Sequence, residues 1–421
     1  MPDARSNAPW RDRSDERGEV DVTRVALIMV VLLLLVGAFL LVYRFFTKSG
    51  EVTVYSSLPR YGPEGVDPQI EDMVNAMKLA VAQHNDGDPK FKVKYVALDD
   101  STPAPGGFTA GATALNAGRA AADDDTAGYI GEFNSGASAV SIPILSVARV
   151  AQVSPANTAV GLTSDGRPRG SADPSEPDTY YDRGYRNYAR IVPKDSSQAE
   201  ALVRLMKRDR CTRLAIINDG GYYGVRLARE MRLSTKTGTV KLVFEKTIGT
   251  RADRLPRLAK RKNPDCFLYS GSRDRRTVGL YTDVGNKLSR AKLYVPDGLT
   301  ETEFTSALDQ PIARRIKMTQ PARDRTGRRG RTFLRDYRAR YEGDTPEPYA
   351  VYAYEAMRLM LDAIERSGSG KREDVVRALQ ATPRRPSAIG PYSLDVNGDT
   401  DQRAYDVYGI RNGELHYLFK I

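Results

Sequence analysis

The chain has 421 residues, of which 41% are hydrophobic and 28% are charged, and its formal net charge is +11. This length and apolar content are enough to bury the cores of about two domains. Acidic and basic residues are interspersed through most of the chain, and no nucleic-acid-binding signature accompanies the positive charge. We therefore expect no nucleic-acid partner.

The N-terminal region joins a polar tail to an apolar run. Val25–Tyr43 contains 19 uninterrupted apolar residues, long enough for a helix to cross a bilayer. Arg44 follows the run where a cleaved signal peptide would have small residues, and no cysteine is present for a lipoprotein. The arginines that precede the run favour a cytoplasmic N-terminus. We therefore expect a cytoplasmic tail at 1–24, a transmembrane signal anchor at 25–46 and an extracytoplasmic main domain.

From Glu51 onward the sequence alternates between strand and helix patterns, as an α/β fold does. Glu51–Ser56 predicts a strand, and Asp67 caps a helix with one apolar stripe. Phe91–Leu98 predicts the second strand, and an alanine-rich helix follows near Gly111–Ala122. These elements predict half of a doubly wound domain.

The stretch Gly128–Thr158 predicts two short strands joined by a helix that begins near Ser135. The start of a helix favours a carboxylate, because its first N–H groups are unpaired and its dipole is positive there. Parallel strands joined by a helix end at the same edge of a sheet, so Ser154–Thr158 opens beside that helix start. The two loops predict a ligand site; the alternative is that Ser135 is only a helix cap and the second loop an ordinary turn.

After a loop at Gly161–Gly184 the same alternation restarts. We expect strands at Arg213–Ile217, Val240–Thr247, Cys266–Ser270 and Lys292–Val295, and helices from Ser196 and Gly224 and near Arg251 and Thr277. Two such lobes place a ligand cleft between the carboxyl ends of their strands.

Six motifs in this order resemble the type I periplasmic binding proteins, specifically the leucine/isoleucine/valine-binding family of receptors for ABC importers. Besides Gly128–Thr158 they are RLAIINDGGYYG (Arg213–Gly224), DCFLYSGS (Asp265–Ser272), KLYVPDGL (Lys292–Leu299), PYAVYAYEAM (Pro348–Met357) and GPYSLDVNGDTDQ (Gly390–Gln402). The resemblance runs from about Val52 to the C-terminus. It implies two doubly wound parallel-sheet lobes without a cofactor: an N-terminal lobe of residues 51–193 and 318–390, and a C-terminal lobe of residues 194–317 and 391–421.

The resemblance also implies a set of ligand residues. These are Ser135, Ala156, Thr158, Tyr223, Ser272 and Asp297. Ser135 falls at the family's carboxylate-binding serine, and Thr158 at the threonine that touches both carboxylate and ammonium. The Ala156 carbonyl accepts from the ammonium, and Asp297 takes the place of a glutamate that pairs with it. Such a set fits a zwitterion.

Other positions depart from the family pattern or leave an alternative open. Tyr223 aligns with a pocket tyrosine, but it and Asp297 also fit a packed aromatic and a turn residue. Ser272, followed by Arg273, stands where the family has a second tyrosine, and approximately Gln69, expected in a polar turn, replaces a first-lobe aromatic. Because this aliphatic clamp is missing, we expect an amino-acid-like ligand without inherited leucine specificity.

Two further features have two interpretations each. Cys211 and Cys266 lie at strands expected to be neighbours, so in an exported domain they predict a disulfide, with two buried free thiols as the alternative. Arginines crowd the segment Arg314–Arg340. They predict a solvated loop and helix face, and the alternative is contact with anionic lipid or a partner.

The sequence gives little support for catalysis. His84 and His416 are its only histidines, without metal-ligand spacing or a nucleophile–base set. We therefore expect no enzyme and no metal site, with a cell-surface hydrolase as a remote alternative. The main expectation is a membrane-anchored solute-binding protein that delivers its ligand to an ABC permease. The alternative is a sensor that signals to a membrane partner.

Overall fold

The computed structural model describes residues 27, 29–36, 50–102, 107–166, 173–249, 252–342 and 345–421. The chain divides into two units, Met1–Ser49 and Gly50–Ile421. In the first unit residues 29–36 are helical, and the predicted tail at 1–24 and most of the predicted anchor at 25–46 lie outside the described residues. Within the described part of the chain, no helix combines the length and apolarity that a membrane crossing requires.

The second unit contains two large sheets, the two-stranded sheet β2-β3 and the helices around them. The strands are β1 (Gly50–Leu58), β2 (Tyr61–Gly62), β3 (Gly65–Val66), β4 (Phe91–Asp99), β5 (Thr126–Gly131), β6 (Ala151–Ser154), β7 (Tyr188–Arg190), β8 (Arg213–Asn218), β9 (Lys241–Thr247), β10 (Cys266–Ser270), β11 (Lys292–Val295), β12 (Ile316–Pro321), β13 (Tyr405–Arg411) and β14 (Glu414–Lys420). The α-helices are α1 (Pro68–Asn85), α2 (Ala110–Ala122), α3 (Ser135–Val147), α4 (Asp195–Arg208), α5 (Tyr222–Thr235), α6 (Leu255–Lys260), α7 (Thr277–Lys287), α8 (Thr302–Ser306), α9 (Gln310–Ala313), α10 (Arg328–Arg340), α11 (Ala350–Ser367) and α12 (Arg372–Gln380).

Two sheets of matching topology organise this unit. The first has the order β4-β1-β5-β6-β7 and is parallel throughout. The second has the order β14-β13-β12-β11-β10-β8-β9 and is parallel from β9 to β12. In each sheet the first strand lies between the second and the third, so a switch point lies between β1 and β5 and another between β8 and β10. Open α/β sheets bind ligands outside the carboxyl ends of strands at such points.

The second sheet ends in an antiparallel hairpin, which the sequence analysis did not predict. β13 pairs antiparallel with both β12 and β14. Asn412 and Gly413 connect β13 to β14, and both have positive φ, 54° and 82°. A two-residue turn of this kind matches the twist of the strands that it joins.

Helix α1 shows how a local signal sets an element's start. The Asp67 side chain accepts hydrogen bonds from the backbone N–H groups of Gln69, at 2.9 Å, and Ile70. Pro68 occupies the first turn, where its missing N–H costs nothing. The expectation that Gln69 lies in a polar turn is therefore wrong: this residue is in the first turn of α1 and is only 3% exposed.

The C-terminal helices return to the first sheet. Tyr352, Met357 and Met360 of α11 belong to the same buried cluster as Val54 of β1 and Met73 of α1. We call the first sheet with the elements packed on it the first lobe, and the second sheet with its helices the second lobe. The predicted boundaries at 193/194, 317/318 and 390/391 stay predictions, and 317/318 falls within β12.

A disulfide joins two neighbouring strand starts of the second lobe. Leu214 of β8 lies opposite Cys266 of β10. Cys211 and Cys266 are both buried and are bonded to each other, with Cα atoms 6.0 Å apart. Of the two interpretations of this cysteine pair, the structure therefore has the disulfide.

Candidate functional site

The candidate site lies where loops from both lobes meet at the carboxyl ends of the strands. Ser135 begins α3 after β5, whereas Ala156 and Thr158 follow β6. Tyr223 lies in the first turn of α5, and the remaining two residues, Ser272 and Asp297, follow β10 and β11. The six residues predicted from the sequence line one small cavity, together with Phe133, Asn134, Gly298 and Tyr349. Their roles in binding stay predictions.

The first-lobe wall of the cavity is built from two loops that are bonded to each other. The Ser154 hydroxyl donates to the Glu132 carbonyl at 2.9 Å and accepts from the backbone N–H groups of Ala156 and Asn157. The Asn157 amide donates to the carbonyls of Glu132 and Phe133, at 3.0 and 2.9 Å. These bonds fix the loop after β6 against the loop after β5. The arrangement places Ser135 and Thr158 together beside the start of α3. The sequence analysis predicted that this position binds a carboxylate.

On the second-lobe side, Asp297 is the central charged group. It is 2% exposed. The Tyr223 hydroxyl donates to its Oδ1 at 2.6 Å, and the Tyr349 hydroxyl donates to its Oδ2 at 2.5 Å. Tyr349 belongs to the first-lobe core, so this carboxylate is hydrogen-bonded to both lobes. Burial raises the pKa of Asp297, against the opposing effect of the two tyrosine hydrogen bonds.

The cavity among these residues is small in this conformation. Its volume is about 20 Å³, which holds about one water molecule. An amino acid does not fit there unless Asp297, Phe133 or the tyrosines move. The structure is therefore a closed form of the cleft, in which side chains of the two lobes meet each other directly.

Sequence reasoning missed a second buried acid, Asp195, at the start of α4. Its backbone N–H donates to the Thr158 carbonyl at 2.7 Å. The side chain is fully buried, and neither carboxylate oxygen has a hydrogen-bond partner among the described residues. Burial, with a further contribution from the Asp297 charge, raises the pKa of Asp195 to about 8 despite the nearby Thr158 hydroxyl. In the sequence an aspartate after Pro193 and before a helix pattern resembles an ordinary helix start, so no signal distinguished it.

A larger outer chamber adjoins the small cavity. The two share Phe133, Asn134, Ser272 and Gly298 as lining residues. The chamber has a volume of about 410 Å³, which lies within the range of small-molecule sites. Its other lining residues are Pro59, Tyr61, Gly62, Pro63, Asp67, Ile70, Gly107, Arg273, Asp274, Arg275, Arg276 and Glu301. A ligand held at the inner cavity would extend its side chain into this chamber.

Comparison with known proteins connects this architecture to a family. The family model described as "Periplasmic binding protein" matches residues 57–414. The chain belongs to the periplasmic binding protein family. The expectations of a solute-binding protein rather than an enzyme, and of an α/β fold with two lobes, are confirmed.

Individual relatives of this binding protein are distant. The Leu/Ile/Val-binding protein homolog 1 of Brucella abortus is 21% identical over 370 residues, which cover 87% of this chain and 88% of the relative. The leucine-specific-binding protein of Salmonella typhimurium is 26% identical over 241 residues, which cover 54% and 61%. An ABC transporter substrate-binding protein from Desulfitobacterium hafniense, solved in complex with Leu, superposes with a TM-score of 0.71 at 20% identity, covering 87% of this chain and all of that one. That structural likeness supports the fold alone.

Proposed function

We propose that this chain captures an amino-acid-like ligand between its two lobes and delivers it to an ABC importer. The observation that carries the proposal is that the Ser135 and Thr158 loops of one lobe meet the buried Asp297 of the other. A helix start and hydroxyls suit a carboxylate, and a carboxylate from the opposite lobe suits an ammonium group. The relatives named as Leu/Ile/Val-binding and leucine-specific-binding proteins agree with this ligand class.

Binding would proceed by opening and closing of the cleft. When the lobes separate, Asp297 leaves the hydroxyl of Tyr349, which belongs to the first lobe. A ligand ammonium would then replace neutral donors at this carboxylate. A cation within about 4–6 Å favours the ionised form of a buried acid, so binding would offset the effect of burial on the pKa of Asp297. Asp195, buried beside Thr158, would add the effect of a second carboxyl group near the same ammonium.

A screen of the common amino acids with the purified full-length protein tests this function. A ligand at 100 times its dissociation constant stabilises the folded state by about 2.7 kcal/mol, which a thermal unfolding assay resolves. Isothermal titration calorimetry then measures the affinity of each hit. The proposal fails if no amino acid raises the unfolding temperature or gives a calorimetric signal.

We also propose that residues 25–46 form an uncleaved signal anchor, with residues 1–24 in the cytoplasm and the main domain outside. The 19-residue apolar run supports this proposal, because it is long enough for a bilayer and lacks a cleavage pattern. The test is N-terminal sequencing of the protein recovered from cells. A mature N-terminus at or after Thr47 would show that the run is a signal peptide.

A ligand sensor is the second candidate function. It is favoured by the short connection of residues 44–49 between the apolar run and β1, which would hold the domain against the membrane and close to a partner. Uptake of the labelled ligand by a deletion strain separates the two roles. Lost uptake supports transport, and unchanged uptake with an altered transcriptional response to the ligand supports sensing.

A further inference from the structure

Four carboxylates surround one guanidinium beside the outer chamber, and two of them, Asp67 and Glu301, line it. Arg273 is 7% exposed in its side chain and forms ion pairs with four carboxylates. Glu64 and Asp67 belong to the first lobe, whereas Glu301 and Glu303 belong to the second. Burial, together with the charge of Asp67, raises the pKa of Glu301 to about 8, against the opposing charge of Arg273. One cation therefore does not balance this cluster.

The neighbouring arginines do not supply the missing charge at the inner wall. Arg276 bonds to Asp274 at 2.5 Å, and the Arg275 Nε donates to the Pro63 carbonyl at 3.2 Å. Both side chains are exposed at the rim of the chamber. Of the cluster around Arg273, Glu64 is also exposed, whereas Arg273, Asp67 and Glu301 are largely buried, where water screens charges less.

A buried amide beside the cluster also lacks a donor. The Gln69 Nε2 donates to the Glu301 Oε2 at 3.4 Å, which places this amide next to a carboxylate that lines the chamber. Its Oε1 is buried and has no hydrogen-bond partner among the described residues. A buried acceptor without a donor is destabilising. The wall therefore offers acceptors in excess of the donors that face them.

We propose that the outer chamber binds the cationic distal group of a basic α-amino acid, whose head group is held at the Ser135–Asp297 site. The inference rests on the proposed function and specifies its ligand class. A guanidinium or ammonium group would supply both the charge and the donors that this wall lacks. The ion pairs of Arg273 show that the cluster accommodates a planar guanidinium.

The other ligand classes fit the chamber less well. An acidic side chain would meet the carboxylates of Asp67 and Glu301, which line the chamber, and be repelled. An aliphatic side chain would cover the same carboxylates without adding the positive charge that one guanidinium leaves uncompensated, and burying an uncompensated charge is costly. Ile70 and Phe133 contribute apolar walls for the stem of a basic side chain, and the carboxylates of Asp67 and Glu301 line the same chamber.

Calorimetric titration of the full-length protein with L-arginine, L-citrulline, L-leucine and L-glutamate tests the inference. Citrulline matches arginine in shape but carries no distal charge. We expect arginine to bind at least tenfold more tightly than each of the others. Equal affinity for arginine and citrulline, or tighter binding of leucine or glutamate, would overturn the inference and leave the proposed function standing. Failure of every amino acid to bind would overturn the proposed function as well.

Substitutions of the carboxylates around Arg273 test whether they bind the distal positive charge of the ligand. Glu301→Gln should weaken arginine binding at least tenfold and change citrulline binding less than twofold, because it keeps the shape and removes the charge. Glu303→Gln, at a more exposed position, should act in the same direction and serves if the first variant does not fold. The matched control is Asp283→Asn on helix α7, which pairs with Lys287 outside the chamber and should change neither affinity more than twofold. Equal losses for arginine and citrulline, or an equal loss in the control, would refute the assignment.

Discussion

Replacement of Asp195 by asparagine should stabilise the unliganded protein at neutral pH. This carboxyl group is fully buried without a hydrogen-bond partner among the described residues, and burial raises its pKa from 3.8 to about 8. Between those pH values the unfolded chain carries the group ionised, and the folded chain carries it protonated. Its contribution to stability is therefore complete below pH 3.8 and is lost as the pH rises towards about 8.

The size of the stability difference follows from the pH range between these two pKa values. One pKa unit corresponds to about 1.4 kcal/mol, so the loss that accumulates between pH 3.8 and pH 7 is at most about 4 kcal/mol. Asparagine has the same shape and does not titrate. The stability of Asp195→Asn relative to the wild type should therefore increase by up to that amount between pH 4 and pH 7.

Urea denaturation followed by circular dichroism at several pH values between 4 and 8 measures this difference. A matched control is Asp283→Asn on helix α7, whose carboxylate is half exposed and pairs with Lys287. We expect the curves of the control and the wild type to run parallel with pH, and the curve of Asp195→Asn to diverge upwards. If Asp195→Asn also ran parallel to the wild type, the burial argument for this acid would be refuted.

Three further predictions concern the head-group site and the disulfide. Thr158→Ala should weaken binding of an identified amino acid by about 1–3 kcal/mol, because it leaves charged ligand groups unpaired; unchanged calorimetric affinity would remove Thr158 from the site. Asp297→Asn should lower affinity for an amino acid at least about tenfold, or 1.4 kcal/mol, and leave that for the deaminated analogue nearly unchanged; equal losses would show that Asp297 only supports closure. Cys211→Ser should destabilise the protein by about 4 kcal/mol, since the bond to Cys266 closes a loop of 55 residues; chemical denaturation measures this, and wild-type stability in the variant would contradict it.

Much of the fold was predictable because its signals are local. The apolar stripe of α1, the strand patterns and the Asp67 cap each depend on neighbouring residues, and the parallel order then brings Ser135 and Thr158 to one edge. The β13–β14 hairpin was missed although its Asn412-Gly413 turn is a strong local signal. Gln69 was misplaced although the Asp67 cap, itself predicted, already puts the residues after Pro68 into a helix.

The charges of the cleft could not be predicted in the same way, because they depend on contacts between distant parts of the chain. Tyr349 meets Asp297 across 52 positions, and Arg273 meets Glu64 across 209. In a sequence these residues resemble any surface tyrosine or charge. Their role depends on burial, which raises the pKa of a carboxyl group; a nearby cation offsets this by favouring the ionised form.

This burial also suggests why the cleft retains groups that cost stability. A protein selected for stability alone would replace Asp195 or Glu301 with a neutral side chain. Burial raises the pKa of both carboxyl groups, and each therefore lowers the stability of the unliganded protein at neutral pH. A binding protein gains from them, since a ligand that supplies the missing positive charge recovers in binding what the unliganded state loses. The closed cleft is then favoured more strongly with a cationic ligand than without one. The preference for a cationic ligand and the stabilisation of the closed cleft by that ligand would thus both result from these buried carboxyl groups.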